Sequence, residues 1–332
     1  MTVAPPPPPQ PWPTFVAAGE ALTDLITEDP DAAGPSFERA DGQRWRAQPG
    51  GAGWNVARAA AQLGLASAFA GAISHGVFGQ ALWDRSAAAG LDMRFVQRVQ
   101  KSPLLAVVHQ THPPRYFFIG DDSADLHFDP QQLPGGWAEH VQWVHFGGIS
   151  LAREPLAGRL LALARALKAR GVRICFDPNH RSVMDSNPHY PATLRAMTEL
   201  ADVVKVSDDD LSGLFGSVAI AAPLATLRSW NPQALCLVSL GARGATLHAG
   251  LQHWTALPPP VTVADTVGAG DACIAGLLSS LMQRPELPPA EHLRFAVAAG
   301  SAACQQAGAS PPGPADIQAL LHRTLLHHTL LA

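Results

Sequence analysis

The alternation of short apolar runs and amphipathic stretches between residues 141 and 240 constrains the fold more than any other feature. Residues 141–146 are apolar and strand-length. Residues 156–170 carry a helical apolar stripe closed by Gly171, and 172–176 are again a strand. A helix over about 191–200 follows, then strands at 203–206 and 235–240. Strand, helix and strand in repetition predict an α/β fold, a doubly wound and mostly parallel sheet flanked by helices. The N-terminal part fits the same plan, with strands at 14–18 and 66–73 and helices after Gly53 and over 78–89. Residues 104–110 and 115–119 flank the turn at Thr111-His-Pro-Pro114 with no helix between them, so they are expected in a separate antiparallel flap.

Open α/β sheets bind ligands beyond the carboxyl ends of their strands. Those ends carry Asp24, Gly147-Gly148, Asp177-Pro-Asn179-His-Arg181, Ser207 with Asp210, and Ser239-Leu-Gly241. Ordinary loop polarity and helix capping account for a share of such residues. Two glycine turns add to them. Gly50-Gly51-Ala52-Gly53-Trp54-Asn55 opens a helix with Val56, Ala59, Ala60 and Leu63 on one face, and its spacing is not the GxGxxG of a dinucleotide site. Asp265-Thr-Val-Gly-Ala-Gly-Asp271 precedes an apolar, Pro-free run to Met282. Free glycine N–H groups at the positive end of a helix make an anion site. A carboxylate there competes with the anion unless it has a second purpose. Asp271 is read either as the acceptor of a proton from a hydroxyl attacking a phosphate, or as the N-cap of its helix.

Composition excludes several classes. A formal charge of −4 and no basic run argue against nucleic acid. Cys175, Cys236, Cys273 and Cys304 lie far apart in apolar runs, which fits buried reduced thiols and a cytoplasmic location. The fourteen histidines are scattered without HExxH spacing. No apolar stretch is long enough to span a bilayer. Residues 1–13 read as a Pro-rich unstructured leader without the features of a signal peptide, and 14–332 as the folded domain.

The chain resembles the ribokinase-like (PfkB) carbohydrate kinases from about Phe15 to Pro312. The motifs that carry the likeness are DTVGAGD at 265–271, PGGAGWNVARAAAQLG at 49–64 and VSLGARG at 238–244. The resemblance implies a sugar kinase that moves the γ-phosphoryl of ATP to a sugar hydroxyl, with a small β lid from about 27–49 and 103–128. It implies Asp271 as base, with Gly268, Ala269 and Gly270 shaping an anion hole completed by the N–H of Asp271 itself. Asp24, Gly50, Gly51, Asn55, Asp177 and Arg181 are implied at the sugar, and Ser207, Ser239, Gly241, Arg243 and Gly244 along the nucleotide. Mg2+ is implied near Asp210, and K+ beside Asp265 and the carbonyl of Val267. Relatives often dimerise through the lid, since an exposed sheet edge needs cover.

Within the family, GEALTDLI at 19–26, HFGGISLAREP at 145–155 and FDPNHR at 176–181 are most similar to fructokinases. The family's Asn-x-x-Glu appears here as Ser207-Asp208-Asp209-Asp210, which leaves a sugar-binding regulatory homologue as a reading of another class. The lid stretch Gly120-Asp121-Asp122 stands where fructokinases and 2-keto-3-deoxygluconate kinases place the Arg of a Tyr-Arg pair near the sugar. Acids there would repel a carboxylate, so a neutral sugar, fructose or a close ketose or pentose, is expected over 2-keto-3-deoxygluconate, with ribokinase and nucleoside kinase activities as further alternatives.

Overall fold

The computed structural model describes residues 11–28, 44–111 and 114–330. Its centre is β1 (Phe15–Ala18), buried on both faces. Alternation along four residues sends Phe15 and Ala17 into one core and Val16 and Ala18 into the other. From β1 the main sheet runs one way through β4 (Ser67–Ser74) to β5 (Val96–Val99). The other way it passes through β8 (Trp143–Gly147), β9 (Arg173–Asp177), β10 (Val203–Ser207), β11 (Leu235–Ser239), β12 (Ala245–Ala249) and β13 (Gln252–Leu257) to β14 (Leu325–Leu330). Pairings from β5 to β11 are parallel, and those from β11 to β14 antiparallel.

Helices α1 (Ala52–Gln62), α2 (Val77–Ala88), α7 (Ala269–Gln283) and α8 (Pro289–Ala303) cover one face. Helices α3 (Leu156–Ala169), α4 (Tyr190–Leu200), α5 (Asp208–Phe215) and α6 (Ala221–Trp230) cover the other. Helix α9 (Pro314–Leu321) seats Ile317 and Leu320 against α8 and Leu63. The doubly wound expectation holds. The antiparallel extension β12 to β14 was not anticipated, although Ala245, Leu247, Trp254 and Ala256 alternate with polar residues in the period of a one-sided strand.

The flap forms a second sheet in the order β3 (Trp45–Gly50), β2 (Leu22–Thr27), β6 (Leu105–Thr111) and β7 (Pro114–Ile119). Asp24 therefore stands on a lid strand and not in the loop after β1. Most of the expected 27–49 segment, residues 29–43, lies outside the described residues, as do residues 1–10 of the expected leader. Trp12, at the end of that leader, is held between the Arg94 guanidinium (4.3 Å) and the His140 ring (5.8 Å).

Two lid connections are fastened to one segment after β8. Where β1 passes into β2, Glu20 N–H donates to Ser150 Oγ (2.9 Å), while Ser150 N–H (3.1 Å) and Oγ–H donate to Glu20 Oε2. After β7, Arg153 donates to Asp125 Oδ2 (2.5 Å), Ser123 Oγ (3.1 Å) and the Gly120 carbonyl. Gly148 has φ 72°, and a Cβ there would lie 2.1 Å from Glu20 Oε1, so only glycine fits.

Burial raises the Glu20 carboxyl from 4.5 to about 7, against the opposing Ser150 hydrogen bond. The folded chain thus binds a proton the unfolded chain has released, and stability falls as pH rises between about 4.5 and 7. The Glu20 share of that fall is about 3 kcal/mol. Urea unfolding of wild type and Glu20→Gln at pH 4.5 and pH 8 should show the variant gaining on wild type by an amount of this order at the higher pH. Parallel profiles for the two proteins would exclude Glu20 as the titrating group.

Candidate active site

Helix α7 starts two residues before Asp271. Its N-cap is Gly268, with φ 80° and no side-chain cap, and a Cβ there would press on Ala309 at 2.9 Å. Asp271, the third helical residue, does not cap. Its Oδ2 accepts from Asn55 Nδ2 at 2.9 Å, so the capping reading fails. In the first turn the N–H groups of Gly270 and Asp271 have no intrahelical partner. The N–H of Ala269, expected in the same hole, instead donates to the Thr266 carbonyl (3.2 Å).

Asn55 sits in the first turn of α1, which opens at Gly51. Gly51 has φ 117°, and a Cβ there would meet the Glu20 carbonyl at 2.6 Å, so the close approach of this turn to the lid hinge requires glycine. With Nδ2 donated to Asp271, Asn55 Oδ1 is left buried and without a partner among the described residues. Gly50 leaves room for the Asp24 carboxylate, since a Cβ at 50 would lie 2.3 Å from Asp24 Oδ2. Burial raises the Asp24 carboxyl to about 6, partly offset by the Arg181 charge and reinforced by Asp271. Burial likewise raises Asp271, opposed by the Asn55 hydrogen bond and the charges of Lys205 and Arg181. Asp24, Asn55, Arg181 and Asp271 therefore share one neighbourhood. Arg181 is held there by its own loop: its guanidinium donates to the carbonyls of His180 (2.7 Å) and Asn179 (3.2 Å), and Asn179 adopts φ 42°.

Below the start of α7 lies Lys205, which the sequence reading missed. Its signal was a single charge inside Val203-Val204-Lys205-Val206. The ammonium stands 2.9 Å from Asp177 Oδ2 and 3.9 Å from Asp210 Oδ2. Burial alone would lower it, but the Asp177 and Asp210 carboxylates outweigh burial and hold it above its ordinary value. Asp177, raised to about 6 by burial against the pull of Lys205, also accepts from Asn179 N–H (3.0 Å). Both oxygens of Asp210 are engaged by backbone, Oδ1 by His180 N–H (2.7 Å) and Oδ2 by Ser207 N–H (2.7 Å). The Ser207 hydroxyl accepts from Asp210 N–H (2.9 Å), completing a capping box at α5. The Ser-x-x-Asp departure thus closes a helix start. Asp210 does not fit as a direct magnesium ligand, and among the described residues no cluster of three His, Cys, Asp or Glu could hold a metal.

Ser207 and Ser239 are register partners at the ends of β10 and β11. The loop after β11 carries Gly241 (φ 56°) and Gly244 (φ 86°), and a Cβ at 244 would meet the Ala256 carbonyl at 2.0 Å. Arg243 in that loop pairs with Asp208 (2.6 Å). Asp265 accepts from the N–H groups of Val267 (3.0 Å) and Gly308 (2.9 Å), which fixes the loop leading to α7. Asp121 and Asp122 do not join the Asp24 neighbourhood. They line a separate cleft of about 570 Å³ with His75, Lys101 and Ser102, where Asp122 is paired with Lys101 (2.6 Å) and His127 (2.5 Å). Asp122 is thus engaged by Lys101 and His127 and does not stand as a bare charge.

The sequence pattern of the pfkB family carbohydrate kinases matches residues 14–316. A fructokinase from Klebsiella pneumoniae is 34% identical over 269 residues, 79% of this chain and 82% of its own length. Among solved structures, a fructokinase from Xylella fastidiosa with bound ATP superposes with TM-score 0.81 at 26% identity, covering 93% of this chain and 98% of that one. A fructokinase from Vibrio cholerae O395 with fructose, ADP and calcium ion bound gives 0.77 at 29% identity, covering 93% and 99%.

Removing the Asp210 carboxylate takes the partner from two backbone N–H groups and one counter-charge from buried Lys205. Asp210→Ala should destabilise the fold by about 3 kcal/mol or more in urea unfolding. A loss below about 1 kcal/mol would show that the capping box and the ion pair are dispensable.

Proposed function

The chain belongs to the pfkB family of carbohydrate kinases, and on that premise we propose that it phosphorylates fructose with ATP as donor, in the cytoplasm. One observation carries the assignment of roles. Asn55 gives one amide N–H to Asp271 and keeps a buried acceptor, Oδ1, with no partner among the described residues. A sugar hydroxyl is the kind of group that satisfies that oxygen while lying within reach of the Asp271 carboxylate.

In this reading Asp24 and Asn55 bind sugar hydroxyls, and Gly50 and Gly51 let the backbone close on them. Asp271 accepts the proton of the attacking hydroxyl. The raised Asp271 carboxyl keeps proton affinity suited to that task. The unpaired N–H groups of Gly270 and Asp271 receive the charge that spreads over the transferred phosphoryl. The nucleotide lies along Ser207, Ser239, Gly241, Arg243 and Gly244. Mg2+ would supply neutralisation of the nucleotide's phosphate charge. Asp210, whose oxygens accept from the His180 and Ser207 N–H groups, is the residue that would hold the ion, through water. Asp265 and the Val267 carbonyl are the residues that would hold a potassium ion beside the hole.

Fructose is favoured over 2-keto-3-deoxygluconate by the named relatives. Arg181 is the cation to which an acid sugar would turn. One assay series tests the reading: kcat/KM on fructose, ribose, inosine and 2-keto-3-deoxygluconate, with wild type and Asp271→Asn. Fructose should lead by at least tenfold, about 1.4 kcal/mol. Asp271→Asn should lose about 10²–10⁴ in kcat, and the wild-type acid limb should lie above the ordinary carboxylate range. An acid-sugar preference would move the assignment to Arg181, and no turnover with any sugar would favour the regulatory homologue. The proposal includes pairing of two copies through the lid, whose β3 and β7 are sheet edges and whose Phe117 and Ile119 are exposed. Sedimentation should find a dimer at micromolar concentration, and a monomer throughout would remove that part.

A further inference from the structure

Lys205 occupies a position that packing does not explain. It is buried in the centre of the sheet between valines, with 5% of its surface exposed. Its ammonium has carboxylates on one side, Asp177 at 2.9 Å and Asp210 at 3.9 Å. On another side is Gly270, where a Cβ would lie 3.4 Å from Nζ. A cation under the amino end of a helix faces the positive end of the helix dipole, which is unfavourable by itself. A buried Lys–Asp pair also adds little net stability compared with an apolar pair of similar size. The placement becomes favourable once an anion occupies the same helix start.

We infer that the Lys205 ammonium is a fixed cation of the phosphoryl-binding hole, touching the γ-phosphate oxygens past the bare backbone of Gly270, with Asp177 and Asp210 as its counter-ions. Among the described residues only Asp177 lies within hydrogen-bond range of Nζ, so donors remain for phosphate oxygens. The two carboxylates fix the ammonium before substrate arrives, so little reorganisation accompanies transfer. The absent side chain at 270 lets the charge act over a short path through a water-poor interior. In this arrangement Asp177 serves the phosphate through Lys205 and does not bind sugar.

The inference rests on the kinase reading above, and the experiment separates the two. Affinities for ADP and for the non-hydrolysable ATP analogue AMP-PNP are measured by calorimetry with magnesium present, alongside fructose kinetics. Lys205→Met should weaken AMP-PNP relative to ADP by at least fivefold, lower kcat by about 10²–10³ and leave KM for fructose within threefold. Lys205→Arg should restore part of the preference for AMP-PNP. A smaller change in the AMP-PNP to ADP ratio, with wild type active, overturns the role of Lys205 and leaves the kinase reading intact. Wild type inactive on every sugar sinks the kinase reading instead. If Lys205→Met does not fold, Gly270→Ala decides. Its methyl stands between ammonium and phosphate, and it should weaken AMP-PNP at least threefold with ADP unchanged; an unaltered AMP-PNP affinity overturns the inference.

Discussion

The hydrogen bond from Asn55 Nδ2 to Asp271 Oδ2 joins the first turns of two helices whose residues are 216 apart in the chain. Around it the rest of the site is arranged. Each helix start is opened by a glycine with positive φ, Gly51 for α1 and Gly268 for α7. Each glycine touches backbone or a small side chain that a Cβ would displace. The two turns can therefore approach the lid hinge and each other without intervening side chains, and one carboxylate and one amide fill the space between them. The sheet supplies the platform: β1, β8 and β9 end within about one residue of each other, with Ala18 beside Phe146 and Gly147 beside Asp177, while Val204 lies beside Phe176 and β10 runs on past them to Ser207.

Several raised carboxyls concentrate there. Asp24 and Asp177 are brought to about 6 and Asp271 is also raised, in each case chiefly by burial. Lys205 and Arg181 offset the effect from two directions. In the reading proposed above, Arg181 is the cation of the sugar side and Lys205 that of the phosphate side, and both charges act on Asp271. A site with this division can hold a neutral polyol at one end and a polyphosphate at the other, with proton affinity concentrated where they meet.

Fold class was legible because burial on both faces forces central parallel strands into continuous apolar runs, as in Val144, Phe146, Ile174 and Phe176. The glycine turns were legible because few residue types tolerate their backbone. Asp271 was visible as a residue, but its partner was not: nothing local relates Asn55 to it. Ser207 and Asp210 looked like a weakened metal motif, whereas three-dimensional context makes them a cap with two further backbone contacts. Asp121 and Asp122 misled because a strand end can turn either way, and Lys101 and His127 draw Asp122 outward. Lys205 had a signal, a lone charge among valines, yet its meaning depended on Gly270, which follows 65 positions later in the chain. Periodicity reports burial, and it cannot report which buried groups face each other.

The position of β1 has a consequence for how the chain is made. One neighbour, β4, follows within about fifty residues, but the other, β8, pairs Phe15 with Trp143, 128 positions downstream (143 − 15). At a synthesis rate of roughly 5–20 residues per second, one edge of β1 waits on the order of ten seconds for its partner. During that interval the ribosome-bound chain presents an apolar strand edge, which is a template for unwanted pairing. The lid sheet is largely synthesised in the same window, and its strands β2, β3, β6 and β7 have all emerged before β8 does. Nascent-chain quality control acts on such intermediates, and heterologous yield of this protein should respond more to translation speed across residues 70–143 than to the stability of the finished domain.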